Sequence, residues 1–425
     1  MLLWLTFGSF ALFLLIGVPI GVALGLSSAI VVYKIMHIPL IVVPQRMFTA
    51  IDSFSYLAIP FFMLAGAFMS SGGVTKRLVS FADSLVGFIR GGLALVVAVA
   101  GMFFAAISGS SAATTAALGA TLLDEMEKDG YEKTFAAAII AAGGTTGIVI
   151  PPSITMVVYG VSAGVSIGEL FLGGFTPGIL MGITMCVLSY FLCIKKGIKA
   201  KGKFQITEVL RTFKESILAL LMPVIILGGI YGGIFTPTEA SAVAAVYGLI
   251  VGVFIYKELK LKDLPRELLK ATKSTTLIMF IVGGANLFGW VLTNAQVPHK
   301  VAMYMSSISD SPIVFLMLLN VLLLIIGTLI NASAAVVITV PIILPVALAY
   351  GIDPVFLGVL MVVNLAIGCI TPPVGLDLFV VSGITNISID RISKAVFPYI
   401  VVLIIDLIIL TYFPKIILFI PNMLR

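Results

Sequence analysis

Long apolar stretches separated by short polar segments run through most of the 425-residue chain. A helix needs about 20 mainly apolar residues to cross the hydrocarbon core of a bilayer. Stretches of that length with few charges therefore predict membrane-spanning helices rather than the core of a soluble domain. The first stretch has no basic leader and a long apolar run, so we expect a true span rather than a cleaved signal peptide. Spans are predicted near residues 3–33, 53–73, 133–165, 169–194, 217–235, 240–257, 273–293, 355–385 and 396–421.

Two further apolar segments, residues 93–123 and 313–349, carry small polar residues in the middle. The interruptions are the sequences SGSSAATT, at Ser108–Thr115, and NASAA, at Asn331–Ala335. Each half of such a segment has only about 12–18 residues, which is short for a complete crossing. Both segments therefore predict re-entrant hairpins, in which the chain enters the membrane, turns near its middle and returns to the same side.

The second half of the chain repeats features of the first half at an offset of 221 residues. The most informative match is a Gly-x-x-x-Pro-Pro sequence, which begins at Gly147 and again at Gly368. One unpaired span between the two units makes the repeat inverted, and inverted repeats with interrupted helices are typical of secondary transporters. We predict a first repeat over residues 1–194, a basic loop with a connecting span over 195–239, and a second repeat over 240–425.

Composition and charge support this interpretation. The chain is 60% hydrophobic and 10% charged, with a mean hydropathy of +1.21, whereas soluble proteins carry roughly 25% charged residues. The net charge of +6 comes from short loops, so it predicts orientation in the bilayer rather than nucleic-acid binding. With a cytoplasmic N-terminus and a periplasmic C-terminus, all but five of the 25 Lys and Arg residues would lie inside. The exceptions are Lys34, Arg46, Lys300, Lys415 and Arg425.

Four interruptions are expected to converge. They are the two hairpin tips and the breaks GGTTGIVIPPS, at Gly143–Ser153, and GCITPPVG, at Gly368–Gly375. Glycine lets the backbone leave helical geometry, and proline removes a hydrogen-bond donor, which leaves carbonyl oxygens free. Such groups are costly in hydrocarbon unless a ligand fills the site. Desolvated Na⁺ prefers carbonyl and hydroxyl oxygens, whereas the N-terminus of a half-helix offers N–H groups to a carboxylate.

Each hairpin together with one broken helix therefore predicts a Na⁺ site, with an organic anion between the two sites and no other cofactor. Single glycines and serines in membrane helices more often serve close packing, but four clusters paired by a repeat favour binding. The first site is predicted to use Ser108, Ser110, Ser111, Gly144, Thr145, Gly147 and Pro151, and the second Gly327, Asn331, Ser333, Gly368, Thr371 and Pro372.

Three of the acidic residues in or near the predicted spans are candidates for a specific role. Glu239 follows a Thr-Pro-Thr turn and is predicted to cap the N-terminus of a helix. Asp377 lies just after the second Pro pair, within reach of the second site, and is a candidate ligand. Asp406 lies inside the last span, where we expect it to pair with a neighbouring side chain.

Residues 75–90 form a basic, amphipathic sequence that predicts an interfacial helix on the cytoplasmic leaflet. Residues 299–312 occupy the matching position in the second repeat and are expected on the other face. Such arms either frame a moving part or serve as plain connectors, and the sequence leaves both interpretations open.

Other classes of function have little support in the sequence. A serine protease built on the ISGSS sequence would need a base within the membrane, and both histidines map to loops. No GxxxxGK[ST] loop is present, which argues against an ATP-driven pump. We therefore expect no enzyme and no transition-metal site, because no metal-ligand spacing joins Cys186, Cys193, Cys369, His37 and His299.

Five motifs occur in order along the chain: GGVTKRLVSFADSLVGFIRGGLALV, FAAISGSSAATTAALG, GGTTGIVIPPS, GIFTPTEASAVAAVYG and ITPPVGLDLFV. With them, essentially the whole chain resembles the large membrane subunit of tripartite ATP-independent periplasmic (TRAP) transporters. The resemblance implies an all-α, polytopic, elevator-type, sodium-coupled transporter of the bacterial inner membrane. It also implies two partners, a small four-span membrane subunit and a periplasmic substrate-binding protein. Many members carry an amide where this chain has Asp377, and a carboxylate there is either a stronger cation ligand or a protonated acid.

The resemblance implies a small carboxylate as substrate, and C4-dicarboxylates, sialic acid, other sugar acids and keto acids all stay open. The alternative is a stand-alone sodium/dicarboxylate or citrate carrier that needs no binding protein. The arm sequence and the TPTEA turn favour the TRAP family over that alternative.

Overall fold

The computed structural model describes residues 2–200 and 202–424. Over those residues the chain is all-helical, as predicted. Lys201 and Arg425, two of the basic residues used for the predicted orientation, lie outside the described residues. The helices are α1 (Leu2–Leu15), α2 (Ile20–Lys34), α3 (Val42–Ile51), α4 (Ala58–Ser71), α5 (Val74–Val86), α6 (Gly92–Ser108), α7 (Ser111–Lys128), α8 (Lys133–Gly144), α9 (Ile154–Ala163), α10 (Ile167–Lys195), α11 (Ile206–Tyr231), α12 (Pro237–Ile250), α13 (Leu264–Asn294), α14 (Val297–Ile308), α15 (Pro312–Leu329), α16 (Ala332–Ala349), α17 (Pro354–Gly368), α18 (Leu376–Thr385), α19 (Ile389–Tyr412) and α20 (Pro414–Leu424).

Eight helical segments of the described chain are long and apolar enough to cross a bilayer. They comprise α4 with the turn before it, α10, α11, α12 with the turn after it, α13, α15, α16 and α19. Two of them are longer than predicted, because basic segments before the apolar stretches join the helices, which start at Ile206 and Leu264. A multi-pass membrane chain is the architecture that these lengths support.

The predictions of one continuous span over residues 3–33 and another over 396–421 are wrong. The first stretch forms two separate helices, α1 and α2, which pack against each other. Gly17, with φ +83°, turns the chain, and Pro19 has no N–H with which to continue α1. The last stretch ends as α19 at Tyr412, and Pro414 begins α20 in the same way.

At both predicted hairpins the structure has a pair of helices joined by a two-residue turn. Gly109 and Ser110 join α6 to α7, and Ile330 and Asn331 join α15 to α16. The second residue of each turn caps the returning helix. The Ser110 side chain accepts a hydrogen bond from the N–H of Ala113, and the Asn331 side chain accepts one from a backbone N–H in its own helix. These caps satisfy N–H groups that helix geometry leaves free.

Both predicted broken spans are confirmed as two short helices with a non-helical segment between them. In the first, α8 is followed by a 3₁₀ turn over Thr145–Ile148, and helical structure resumes at α9. In the second, α17 and α18 are separated by residues 369–375. Each break contains a cis Pro–Pro peptide, Pro151–Pro152 in one and Pro372–Pro373 in the other.

The two halves of the chain interlock at the centre. The first half of each broken helix packs on its own hairpin, α8 on α7 and α17 on α15. The second halves cross over: α9 packs on α16, and α18 packs on α7 and α8. Each hairpin therefore contacts segments from both halves of the chain.

A second group of helices packs beside this centre. Helix α4 packs on α12 and α13, and α13 also packs on α2, α3 and α16. The predicted arms are confirmed as helices α5 and α14. Helix α5 packs on α6 and α11, and near its start Arg77 pairs with Glu258 at 2.6 Å and stacks on the Tyr256 ring at 3.7 Å. These contacts fix the first turns of α5 to the segment that follows α12.

Candidate functional site

A cavity of about 330 Å³ lies where the two hairpin tips meet the two broken helices. Four of the residues that line it are the first residues of helices: Ser111 of α7, Ile154 of α9, Ala332 of α16 and Leu376 of α18. Thus four helix N-termini end at one cavity, two from the hairpins and two from the broken helices. The predicted convergence of the four interruptions is present in the structure.

The sequence explains why the helices begin at the cavity. Ser110, Ser153 and Asn331 are N-cap residues whose side-chain oxygens accept hydrogen bonds from backbone N–H groups of the following turn. The Ser153 hydroxyl also donates a hydrogen bond of 2.6 Å to the carbonyl of Ile148, which ties the cap to the 3₁₀ turn. At the fourth helix the cap is Gly375, whose φ of +63° suits a residue without a side chain.

The charge distribution of the cavity favours an anion. Each helix N-terminus carries a partial positive charge and free N–H groups, which stabilise anions close to the first turn. Among the described residues that line the cavity, none is Lys, Arg or His. Helix dipoles, hydroxyls and backbone N–H groups are therefore the chemistry that the lining offers to a carboxylate.

The opposite wall comes from the neighbouring helices and is mainly apolar. Met63 of α4 contributes to it, together with four apolar residues of α13, and Ser274 adds a single hydroxyl. The apolar α13 residues are Leu277, Ile278, Ile281 and Val282. A cavity of this size with one polar wall suits a small molecule with one charged end.

The first hairpin and the first break are in close contact. A Cβ atom at Gly147 would lie 2.5 Å from both the Ser110 carbonyl oxygen and the Thr114 hydroxyl, so glycine allows this approach. The Ser108 and Thr114 hydroxyls lie 2.7 Å apart. Hydroxyl and carbonyl oxygens of the hairpin tip are thus next to the 3₁₀ turn that holds Thr145.

Three other members of the first predicted set lie around this contact. The Thr145 hydroxyl is buried and donates a hydrogen bond of 2.7 Å to the Ala142 carbonyl. Gly144 packs directly against the Thr115 hydroxyl. Pro151 is buried in the break. The structure therefore brings the first predicted set together, with Ser110 and Ser111 also facing the cavity.

The second hairpin and the second break meet through two glycines. A Cβ atom at Gly368 would lie 2.7 Å from the Cα atom of Gly327, and the N–H of Gly375 donates a hydrogen bond of 3.1 Å to the Thr328 carbonyl. Asn331 and Ser333 line the cavity, but Thr371 and Pro372 do not. The Thr371 hydroxyl donates to the Ile367 carbonyl at 2.7 Å, and Pro372 is exposed. The structure thus brings only part of the second predicted set to the cavity.

One cavity residue that the sequence analysis missed is Thr155. Its hydroxyl lies 3.2 Å from the hydroxyl of Ser333, so this pair joins the first broken helix to the second hairpin. The sequence feature that could have identified Thr155 is its position in the first turn of the helix that follows the Pro pair. Such a residue belongs to the helix N-terminus that faces the cavity, although it is outside the Gly-x-x-x-Pro-Pro motif itself.

The prediction that Asp377 lies at the second site is wrong, because its carboxylate lies beside the first hairpin. The Ser111 and Thr115 hydroxyls of the first hairpin face its carboxylate, although no well-formed hydrogen bond joins them within the described residues. The physical reason is that α18 crosses to pack on α7 and α8. The sequence could not show this crossing, because all of these helices are apolar.

The predictions for the two other acidic residues are confirmed. Glu239 and Thr236 form a capping box at the start of α12, in which each side chain accepts a hydrogen bond from the other's backbone N–H. The Asp406 carboxylate accepts a hydrogen bond of 2.6 Å from the hydroxyl of Thr184 on α10. In the described residues no group of three His, Cys, Asp or Glu side chains could hold a metal ion.

Comparison with known proteins identifies the family. Residues 7–416 match the family model described as tripartite ATP-independent periplasmic transporter, DctM component. The isethionate TRAP transporter permease protein DctMQ of Oleidesulfovibrio alaskensis is 47% identical over 97% of this chain, and the chain spans 65% of that protein's length. The C4-dicarboxylate TRAP transporter large permease protein DctM of Pseudomonas aeruginosa is 44% identical, over 95% of this chain and 94% of that one.

A solved structure supports the fold. The YdaH transporter of Alcanivorax borkumensis, whose crystal structure reveals an unusual topology, superposes with a TM-score of 0.64 over 86% of this chain and 85% of that one. At 16% identity this likeness concerns the fold alone. The relatives are named as transporter permeases and not as enzymes. The chain belongs to the DctM family, the large permease components of TRAP transporters.

Proposed function

We propose that the protein carries small organic acid anions into the cell by sodium-coupled secondary transport, as the large membrane subunit of a TRAP transporter. The observation that supports this most strongly is the convergence of four helix N-termini on one cavity that is lined by no basic side chain among the described residues. An anion held there is stabilised by helix dipoles and N–H groups, which cost little to reorganise when the anion leaves.

Sodium coupling is supported by the C-termini of the helices that precede each hairpin turn and each break. Where α6, α8, α15 and α17 end, helix geometry leaves carbonyl oxygens without N–H partners. The hydroxyls of Ser108, Thr114 and Thr145 lie beside those ends in the first half of the chain. Carbonyl and hydroxyl oxygens suit Na⁺, so each hairpin with its own break would hold one ion. Two bound cations would then offset the charge of the anion between them.

The substrate class is a small organic acid. The relatives are named for isethionate and for C4-dicarboxylates, both compact anions. The cavity of about 330 Å³ has one polar wall and one mainly apolar wall, which suits a compact molecule with a charged end. Sialic acid, the larger substrate considered from the sequence, would need polar partners on the wall formed by α13.

A small four-span membrane subunit and a periplasmic substrate-binding protein would complete the transporter. The family description places DctM in a tripartite system, and the longer DctMQ relative leaves about a third of its length outside the match. The large outward surface of this chain is apolar, as lipid and a membrane partner both require.

We further propose that the two repeats have opposite orientations in the bacterial inner membrane, with the N-terminus of the chain in the cytoplasm and the C-terminus in the periplasm. The first hairpin would then enter from the cytoplasm and the second from the periplasm. In an elevator-type cycle the hairpins and broken helices would move as one unit against α4, α12 and α13. The basic loops support the orientation.

Reconstitution tests the proposed function. The protein, its small membrane subunit and its binding protein should be placed in proteoliposomes and offered isotope-labelled isethionate, succinate and sialic acid. We expect accumulation of at least one anion under an inward Na⁺ gradient, and none when K⁺ replaces Na⁺ or when the binding protein is left out. Uptake by this chain alone would instead support the stand-alone carrier. Uptake that ignores the Na⁺ gradient would contradict sodium coupling.

A further inference from the structure

Asp377 is an isolated acid at the centre of the molecule. Its side chain is 0% exposed, and neither carboxylate oxygen has a hydrogen-bond partner in the described part of the chain. None of the ion pairs found among the described residues includes it. A buried ionised carboxylate in that state is strongly destabilising unless a positive charge is close. The structure therefore requires either a neutral acid or a cation at this position.

Two hydroxyls of the first hairpin supply the rest of a site. Ser111 and Thr115 both face the carboxylate, and they lie on one face of α7 because residues four apart share a face. Thr115 Oγ1 is itself buried without a hydrogen-bond partner among the described residues. Three buried side chains thus direct oxygen atoms to one place, and two of the three have unmet hydrogen-bonding capacity.

The surroundings fix these oxygens in position. The Thr115 hydroxyl lies directly on the backbone of Gly144, where no side chain intervenes. Asp377 is held by its own backbone, because its N–H donates a hydrogen bond of 2.9 Å to the Cys369 carbonyl. Helix α18 packs along α7 and α8 beyond this point. The oxygen atoms therefore belong to packed helices rather than to a loop.

We propose that Asp377, Ser111 and Thr115 form a third cation site, for Na⁺, which joins α18 to the first hairpin; Ser111, predicted above as a ligand of the first site, belongs to this one instead. The proposal rests on the sodium coupling proposed above. Carboxylate and hydroxyl oxygens are hard ligands that suit Na⁺. Unlike the two sites paired by the repeat, this site has no counterpart, because the position equivalent to Asp377 at the offset of 221 is Met156. One Na⁺ carried at this site adds one positive charge to those moved in each transport cycle.

The test uses the whole transporter and two readouts. The first is the Na⁺ titration of the thermal unfolding midpoint in detergent, and the second is the charge moved per substrate, from the reversal potential in proteoliposomes. For Asp377→Asn we expect the charge to fall by one and the Na⁺ concentration for half-maximal stabilisation to rise at least tenfold. For Thr115→Val, which keeps the shape, we expect about a tenfold rise with the charge unchanged. Thr121→Val is the matched control, because this hydroxyl on the same helix already donates to the Ala117 carbonyl.

Each outcome decides a different point. If Na⁺ does not stabilise the wild-type protein, sodium coupling fails and this site fails with it. If Na⁺ stabilises the wild type and Asp377→Asn equally, and the charge per substrate is unchanged, the third site is overturned while coupling stands. That second result is also what a proton held on Asp377 would give. If Asp377→Asn does not fold, Thr115→Val decides, and an unshifted Na⁺ titration would overturn the site.

Discussion

The two Pro–Pro breaks share a sequence pattern but differ in burial. Every residue from Thr145 to Gly160 is buried, whereas Pro372 and Pro373 are exposed. Both breaks contain a cis Pro–Pro peptide, and both contact their own hairpin through glycine. The repeat therefore specifies the local backbone twice, but it does not specify how much of the protein covers it.

Helix α10 explains the enclosure of the first break. Gly174 and Gly178 lie one turn apart on it, and a Cβ atom at Gly174 would lie 2.5 Å from the Val149 carbonyl oxygen. Gly178 is equally tight against the same break. At the offset of 221 the equivalent positions in α19 are Ala395 and Tyr399, which carry side chains. Helix α10 thus offers a glycine groove to the break, and α19 does not.

This difference assigns unequal roles to the two halves of the site. A break held in a groove and buried on all sides keeps its conformation, while a break at the surface can change conformation without disturbing the core. We expect the second break and its hairpin to respond most to Na⁺ and substrate.

The largest effect should follow from filling the glycine groove. Gly174→Val places a branched side chain against the Val149 carbonyl and should destabilise the protein by about 1–3 kcal/mol or prevent folding, as overpacking does. The thermal unfolding midpoint and the yield of monodisperse protein measure this. Gly228→Val on α11 is the control, because nothing lies within 4 Å of a Cβ atom there. If both variants were equally stable, the groove would not hold the break.

The two threonines of the breaks give a second, smaller contrast. Thr145 and Thr371 each donate a hydroxyl hydrogen to a carbonyl of the preceding turn, which leaves oxygen lone pairs free for Na⁺. Losing one such contact costs on the order of 1–3 kcal/mol. Each change to Val should therefore raise the Na⁺ concentration for half-maximal uptake roughly ten- to hundredfold.

The two threonine variants should differ in their thermal stability when Na⁺ is absent. Thr145→Val should lower the unfolding midpoint more than Thr371→Val, because only Thr145 is fully buried. A Na⁺ titration of uptake beside the wild type checks the first effect, and thermal unfolding in Na⁺-free buffer checks the second. An unshifted Na⁺ curve for Thr371→Val would mean that this hydroxyl only bonds within its own helix.

Local signals made the hairpins and breaks predictable. Ser110 and Asn331 are strong helix caps, and a Pro pair that follows glycines marks a place where a helix is interrupted. The same reasoning should have divided the first span at Gly17 and Pro19, but the length of the apolar run outweighed it. Once the backbone is broken at four places, the convergence of the N-termini follows from the repeat.

Contacts between distant helices were not predictable. The placement of Asp377 against Ser111 and Thr115 depends on α18 crossing to the first hairpin. In a uniformly apolar sequence no pattern of charges or periodicity marks which helix faces which, since lipid and protein interior accept the same residues. The pairing of Thr155 with Ser333 was hidden for the same reason.

The central claim is that an organic anion binds where the four helix N-termini meet, and that Na⁺ makes it bind. Ala332 is the first residue of α16 and lines the cavity. In a background without native cysteines, Ala332→Cys should be modified by a small thiol reagent at a measurable rate. With Na⁺ present, isethionate, succinate or sialic acid should slow that rate about tenfold, and the same anion in K⁺ should not. Equal protection in Na⁺ and K⁺, or no protection by any anion that the transporter accumulates, would contradict the account.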